Sequence, residues 1–249
     1  MTVYKRFHIE SSLNLENANQ FSSVAAWVAG MRDFSKELTF KIPKNWEKSY
    51  SLKEYDKKTI LPIEELLSSR RSCRSFSSIS VSLIDFSFIL NHSLGVSYMD
   101  KTGTYFTYPN SGGIQSIIPI ILVTNVEGIE QGVYYYDAKQ FVLYRISGFD
   151  NRDYDKVTSS DTIANQSSFS IHLFVETNQK CYKYQDRGYR FLLLECGHIM
   201  QSVHLCSTSI GLGCVMSGGG YDIPVLDSLN SLIKDTDMMV LYECFLGLV

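Results

Sequence analysis

Residues Lys183 to His198 read KYQDRGYRFLLLECGH, and the helix that this stretch opens decides the fold. Apolar positions keep a helical recurrence from Gly188 to Ile210, about six turns at 3.6 residues per turn. The helix is apolar on almost every side and is predicted to be buried. Gly211 and Gly213 end it. At its mouth stand Lys183, Tyr184, Arg187, Tyr189 and Arg190. A lysine next to a tyrosine at the mouth of a buried helix can handle a proton where water is excluded. Desolvated beside Arg187 or Arg190, Lys183 would give up its proton more readily. The alternative is a snorkelling lysine and a packing tyrosine at a helix start.

Strand patterns lie on both sides of this helix. Upstream, Ile117 to Thr124 (IIPIILVT) is a short apolar run that reads as a buried strand. Val133–Asp137 and Phe141–Ile146 flank a short Ala-Lys turn and read as a hairpin, and Phe169–Glu176 (FSIHLFVE) alternates as a further strand. Downstream, Cys214–Met216 and Met239–Leu246 read as strands, with residues 223–233 helical between them. Earlier still, Phe21–Met31 reads as a short helix and residues 42–55 as a polar connection. Pro62 opens a helix over IEELLSSR. Ser80 or Ser82 caps another, whose Leu83, Phe86, Leu90 and Leu94 recur at helical spacing before Gly95 stops it. Helices followed by strands mixed with helices predict an α+β fold, a mostly antiparallel central sheet flanked by helices.

At 249 residues the chain is long enough for one large domain or two small ones, and its 45% hydrophobic content is ordinary for a globular protein. A net charge of −3 gives no reason to expect nucleic acid or an anionic membrane as partner. No stretch approaches the ~20 apolar residues of a membrane helix, and the start, MTVYKRFHIESS, has no apolar signal core. Cys73, Cys181, Cys196, Cys206, Cys214 and Cys244 form no CxxC. Several fall in apolar runs and read as buried, reduced thiols, which fits a cytoplasmic location.

A second cluster, Arg70-Arg71-Ser72-Cys73-Arg74, brings three guanidiniums and a hydroxyl together. It reads either as a phosphate clamp or as a solvated basic turn after a helix. Glycine clusters at Pro109-Asn110-Ser111-Gly112-Gly113 and Ser217-Gly218-Gly219-Gly220 would let backbone N–H groups approach a flat ring or a phosphate, or would serve plain turns. Neither GxGxxG after a strand nor GxxxxGK[ST] occurs, which disfavours a Rossmann or P-loop site. Glu195 and His198 form one ExxH. Di-iron bundles need two, so a mutual hydrogen bond in the core is expected and metal binding is not.

In this order the pieces resemble the FMN-dependent nitroreductase superfamily. Within it they resemble the azoline-oxidising peptide dehydrogenases that make thiazoles and oxazoles in streptolysin S- and microcin B-type peptides. Arg70–Phe76 is similar to an RRSxRxF signature, and Pro109–Gly113 to a PSAGG-type loop in which Asn110 stands for the usual serine. Gly132–Asp137 resembles a G-[LV]-Y-x-Y-D strand. Arg187-Gly188-Tyr189-Arg190, then Leu194-Glu195, Gly197-His198 and Gln201, resembles an RGYR…LExGH…Q helix. After it, Gly211-Leu212-Gly213 matches the next loop, while the tail Leu246–Val249 lacks the arginine that often follows the last glycine.

The resemblance spans residues 65–249 and implies a nitroreductase-like, two-fold dimer over residues 61–249. Residues 1–60 would be an N-terminal extension that docks a partner or peptide. FMN is the implied cofactor. Arg70, Arg71, Ser72 and Arg74 would hold its phosphate and ribityl chain. Ser111, Gly112 and Gly113 would lie near the isoalloxazine ring from the other subunit, with Gly218 and Gly219 opposite. Lys183 and Tyr184 fall on the catalytic Lys-Tyr pair of the azoline oxidases, which ordinary nitroreductases lack. The implied activity is oxidation of thiazoline or oxazoline rings in a precursor peptide, alongside cyclodehydratase subunits. The rival readings are an NAD(P)H-dependent nitro- or quinone reductase and a non-catalytic flavin-binding scaffold.

Overall fold

The computed structural model describes residues 1–14, 17–31, 34–37, 48–52, 61–101, 103–222, 224, 226–233, 236 and 238–249. In chain order it runs α1 (Val3–Glu10), α2 (Ala18–Ala29), β1 (Ser49–Ser51), α3 (Ile63–Ser69), α4 (Leu83–Leu94), β2 (Val96–Asp100), β3 (Gly103–Phe106) and β4 (Ile117–Val123). It continues with β5 (Gly132–Asp137), β6 (Val142–Ser147), α5 (Asp161–Ala164), β7 (Phe169–Glu176), α6 (Asn178–Tyr184), α7 (Asp186–Ser209), β8 (Gly213–Ser217), α8 (Asp227–Ile233) and β9 (Met238–Gly247).

Seven strands form one sheet in the order β1-β6-β5-β4-β7-β9-β8, with every neighbouring pair antiparallel. β4 and β7 lie at its centre, and all their residues are buried. Pro119 is tolerated in β4 because the ladder to β5 begins one residue later, at Ile120↔Tyr135. Side-chain alternation sorts β4 between two cores. Ile117, Ile121 and Val123 join Phe86, Ile89 and Leu90 of α4 and Leu192, Ile199 and Val203 of α7. Ile118, Ile120 and Leu122 join Tyr154, Ala164 and Leu229 on the opposite face. The fold is therefore α+β, a mostly antiparallel sheet with helices on both faces, as the sequence predicts.

Ser82 caps α4 by accepting the Asp85 N–H, and Gly95 closes it. Three predicted features differ. The polar connection expected over residues 42–55 contains β1, and its residues 42–47 and 53–55 lie outside the described residues. α7 is not buried all round: Gly188, Leu192, Glu195, Cys196, Ile199, Met200, Val203, His204 and Ser207 make one buried stripe, while Leu193 and Leu194 remain 42% and 54% exposed. The helix is amphipathic at a spacing of three to four, with apolar residues left on its outer side. Lys183 and Tyr184 also do not open α7. They end the separate helix α6, and Gln185, at φ 50° and ψ −145°, turns the chain between the two helices. Among the described residues no helix is long and apolar enough to cross a membrane.

Candidate functional site

α6 and the first turn of α7 pack tightly because Gly188 has no side chain. A methyl group there would stand 2.7 Å from the Lys180 carbonyl oxygen. This junction aims Lys183 and Tyr184 at the loop Asn110–Gly113. Gly112 has φ +67°, a left-handed conformation that favours glycine. A methyl group on Gly112 would collide with the Tyr184 hydroxyl and lie 3.4 Å from Lys183 Nζ. The candidate acid/base pair and the glycine loop thus meet, although more than seventy residues separate them in sequence.

The pair is held by aromatic surfaces. Lys183 Nζ lies 5.1 Å from the Tyr184 ring centroid and 5.7 Å from that of Phe34. Tyr184 stacks on Phe21 at 6.2 Å and meets Phe191 edge-on at 5.1 Å. Burial raises the pKa of its phenol, Lys36 opposes that rise, and Glu195 adds to it. Arg187 and Arg190 do not crowd Lys183. Their guanidiniums turn to α1, where Arg187 donates to the Ser11 carbonyl oxygen (3.0 Å) and Arg190 to the Ser11 hydroxyl (2.7 Å).

Glu195 has a different role from the one its ExxH spacing suggests. His198 is exposed and Glu195 is buried, so the two do not share a hydrogen bond in the core. One Glu195 oxygen accepts the Ser111 N–H at 2.7 Å, and the other pairs with the ammonium of Lys180. Burial lowers the pKa of Lys180, and the Glu195 charge works against that. The buried Lys180–Glu195 pair therefore anchors the start of the glycine loop. Nothing local marks Lys180 in the sequence, since the pairing crosses from one helix to the next. Among the described residues no group of His, Cys, Asp and Glu could hold a metal ion.

The basic cluster forms a strap along the edge of the sheet. Cys73 N–H donates to the Cys214 carbonyl oxygen (2.9 Å), and Ser77 N–H to that of Leu248 (2.7 Å). Gly213 lets the strap approach, since a methyl group there would stand 3.0 Å from Cys73 Sγ. His204 of α7 supports it from beneath. Its Nε2 donates to the Arg71 carbonyl oxygen at 3.1 Å, and Arg70 Nη1 lies 3.5 Å from the ring nitrogens. Burial and the nearby Arg70 charge lower the His204 pKa, and the hydrogen bond to Arg71 works against them. Arg71, Ser72 and Arg74 are exposed. Arg70, Arg71 and Arg74 have no carboxylate partner among the described residues. Three unneutralised guanidiniums on one strap suit a phosphate dianion.

On the same edge, Gly218 follows β8 and faces open space, with no atom within 4 Å of where its Cβ would be. Gly219 is backed by the hydroxyls of Ser159 and Ser160. The arginine strap and the Lys183–Tyr184 pair lie at opposite ends of α7. From Asp186 to His204 is eighteen residues, about 27 Å at about 1.5 Å per residue.

The sequence model of the nitroreductase family matches residues 67–239. A protein of Methanocaldococcus jannaschii named as a nitroreductase is 30% identical over 188 residues, covering 73% of this chain and 89% of its own. Among solved structures, a nitroreductase from Anabaena variabilis superposes with a TM-score of 0.63 at 24% identity. That match covers 75% of this chain, which spans only 38% of the Anabaena protein. A chain of the E. coli microcin synthetase McbBCD complex, solved with truncated pro-MccB17 bound, superposes with a TM-score of 0.62 at 19% identity. It covers 96% of this chain and 99% of its own.

Proposed function

Because this chain belongs to the nitroreductase family, whose members bind flavin, we propose that it is an FMN-dependent dehydrogenase that oxidises thiazoline or oxazoline rings of a precursor peptide. The observation that carries this reading is the meeting of Lys183 and Tyr184 with Gly112, the loop glycine assigned to the flavin ring. The near full-length likeness to a chain of the microcin synthetase supports it, since that complex carries a bound precursor peptide. By the same analogy, cyclodehydratase subunits are the expected partners.

Conversion of azoline to azole removes the ring Cα hydrogen as a proton and the neighbouring Cβ hydrogen with its electron pair. FMN, when bound, supplies the two-electron acceptor, and dioxygen is the simplest final oxidant. Tyr184 or Lys183 takes the Cα proton. Its aromatic surroundings limit access of water to the transfer. Glu195, fixed by Lys180, accepts the Ser111 N–H and so sets the position of Gly112 and Gly113. Arg70, Arg71, Ser72 and Arg74 would hold the phosphate, and Gly218, open where its Cβ would be, with Gly219 next to it, would lie beside the ring.

A site of this kind requires two copies of the chain. One protomer's strap lies too far from its own Lys183–Tyr184 pair for a single mononucleotide to reach both. A two-fold dimer sealed over Leu193 and Leu194 brings one protomer's strap to its partner's pair.

The test is to release the cofactor by heat, identify it by mass, and incubate the protein with a synthetic azoline peptide. FMN, and a peptide mass loss of about 2 Da per ring for two hydrogens, are expected. FAD, or steady NAD(P)H oxidation with no change in the azoline, would overturn the proposal.

A further inference from the structure

The segment Phe34–Glu37 lies far from every motif that identifies the site, yet it runs along the glycine loop. The Gln115 N–H donates to the Lys36 carbonyl oxygen at 2.7 Å and fixes the backbone of Lys36 beside Gly113. A methyl group on Gly113 would lie 4.0 Å from both Cδ and Nζ of Lys36. The adjacent glycine has Tyr184 and Lys183 in the same relation. Two residues before Lys36, the Phe34 ring lies 5.7 Å from the Lys183 ammonium. Further contacts tie this region to α6: Phe21 on Tyr184, and the Tyr182 hydroxyl on Met31 Sδ at 3.3 Å. Lys36 also borders a cleft of about 500 Å³ with Tyr105, Tyr108, Asn110 and Gly113. The Asn110 Nδ2 is buried there and finds no acceptor among the described residues. The cleft thus offers two nitrogen donors and aromatic walls next to the proton-handling pair.

We propose that Lys36 is a positioning residue of the site, whose ammonium group, held beside Gly113, completes a cluster with Lys183 and Tyr184 around the glycine loop. The proposal rests on the azoline-oxidising reading for its catalytic meaning, but not for its physical content. The charged groups around Tyr184 come from every side. Lys183 shares its helix, Lys36 comes from the N-terminal segment, and Glu195 comes from α7. Glu10, Asp186 and Arg187 border the depression on its other flank. Burial and Glu195 favour the neutral phenol, and Lys36 favours the phenolate. Removing the Lys36 charge therefore moves Tyr184 titration to higher pH, and reversing the charge moves it further. Lys36 is exposed, so these substitutions leave the fold intact.

The experiment is a pH titration of the flavin-loaded protein carrying 13Cζ-labelled tyrosine. The Tyr184 resonance is identified among the 16 tyrosines by its loss in Tyr184→Phe. The expected order of titration midpoints is wild type and Lys36→Arg lowest, Lys36→Gln higher, and Lys36→Glu highest. The ascending limb of the azole-formation pH profile should move in the same order, with unchanged flavin content. Identical Tyr184 titrations in wild type, Lys36→Gln and Lys36→Glu would overturn the proposal. If no azoline is oxidised even by wild type, the functional reading fails while the titration still decides the role of Lys36.

Discussion

Lys180→Met removes the cation from a buried pair and leaves the Glu195 carboxylate with the Ser111 N–H as its one remaining partner among the described residues. The two side chains are 0% and 2% exposed. Breaking such a pair from one side costs about 3–5 kcal/mol, because the surviving charge stays buried without compensation. At about 2–4 °C per kcal/mol for a domain of this size, the midpoint of thermal unfolding should fall by roughly 6–20 °C. Lys180→Met with Glu195→Gln removes both charges and keeps an acceptor for Ser111. That double variant should return to within about 1–2 kcal/mol of wild type, since the penalty lies in the orphaned charge. The assay is urea unfolding of wild type, both single variants and the double variant at one protein concentration, so that association does not contribute. A Lys180→Met cost below about 1 kcal/mol, or a double variant no more stable than Lys180→Met, would refute the argument that this pair anchors the glycine loop.

Other parts of the structure give further expectations. Arg74→Gln keeps the fold but removes one charge-assisted phosphate contact of about 1.5–3 kcal/mol, so FMN affinity measured by flavin fluorescence should weaken roughly 10- to 100-fold. Leu194→Glu places a charge on the exposed apolar side of α7, and light scattering should then find the 28.3 kDa chain where wild type gives twice that mass. Glu243 and His172 lie 3.3 Å apart under the sheet, and burial raises Glu243 to about 7 and lowers His172 to about 3. The Glu243 contribution to stability is fully present below its ordinary pKa of about 4.5 and is lost as pH rises through about 7. Wild type's advantage over Glu243→Gln should therefore shrink by about 3 kcal/mol across that window.

What could be read in the sequence follows from how local each signal is. α4 shows itself through a serine cap, a helical apolar spacing and a closing glycine, and β4 through an unbroken apolar run. The β5–β6 hairpin and β7 announce themselves by β-rich stretches between turns, and each is found within a residue or two of its expected place. α6 was hidden because its break from α7 is carried by Gln185 at positive φ, where neither glycine nor proline marks a turn. β1 has only three residues and takes its identity from pairing with β6. In the site, Lys183 and Tyr184 stood out through chemistry concentrated in two adjacent residues. Lys180, His204 and Lys36 did not, because each acts across the fold: Lys180 on Glu195, His204 under Arg70 and Arg71, Lys36 beside Gly113. The outward Leu193 and Leu194 give α7 the pattern of a buried helix, because an apolar residue reads the same in sequence whether the fold covers it or leaves it exposed.

The most direct measurement compares azole formation by wild type, Lys183→Ala, Tyr184→Phe and the double variant, each loaded with flavin. A synthetic azoline peptide is followed by mass, and the flavin absorption spectrum is recorded alongside. The account predicts retained flavin and a fall in rate of about 10²- to 10⁴-fold, the usual cost of losing a general base. Near-wild-type turnover in the double variant, or loss of flavin together with activity, would contradict it.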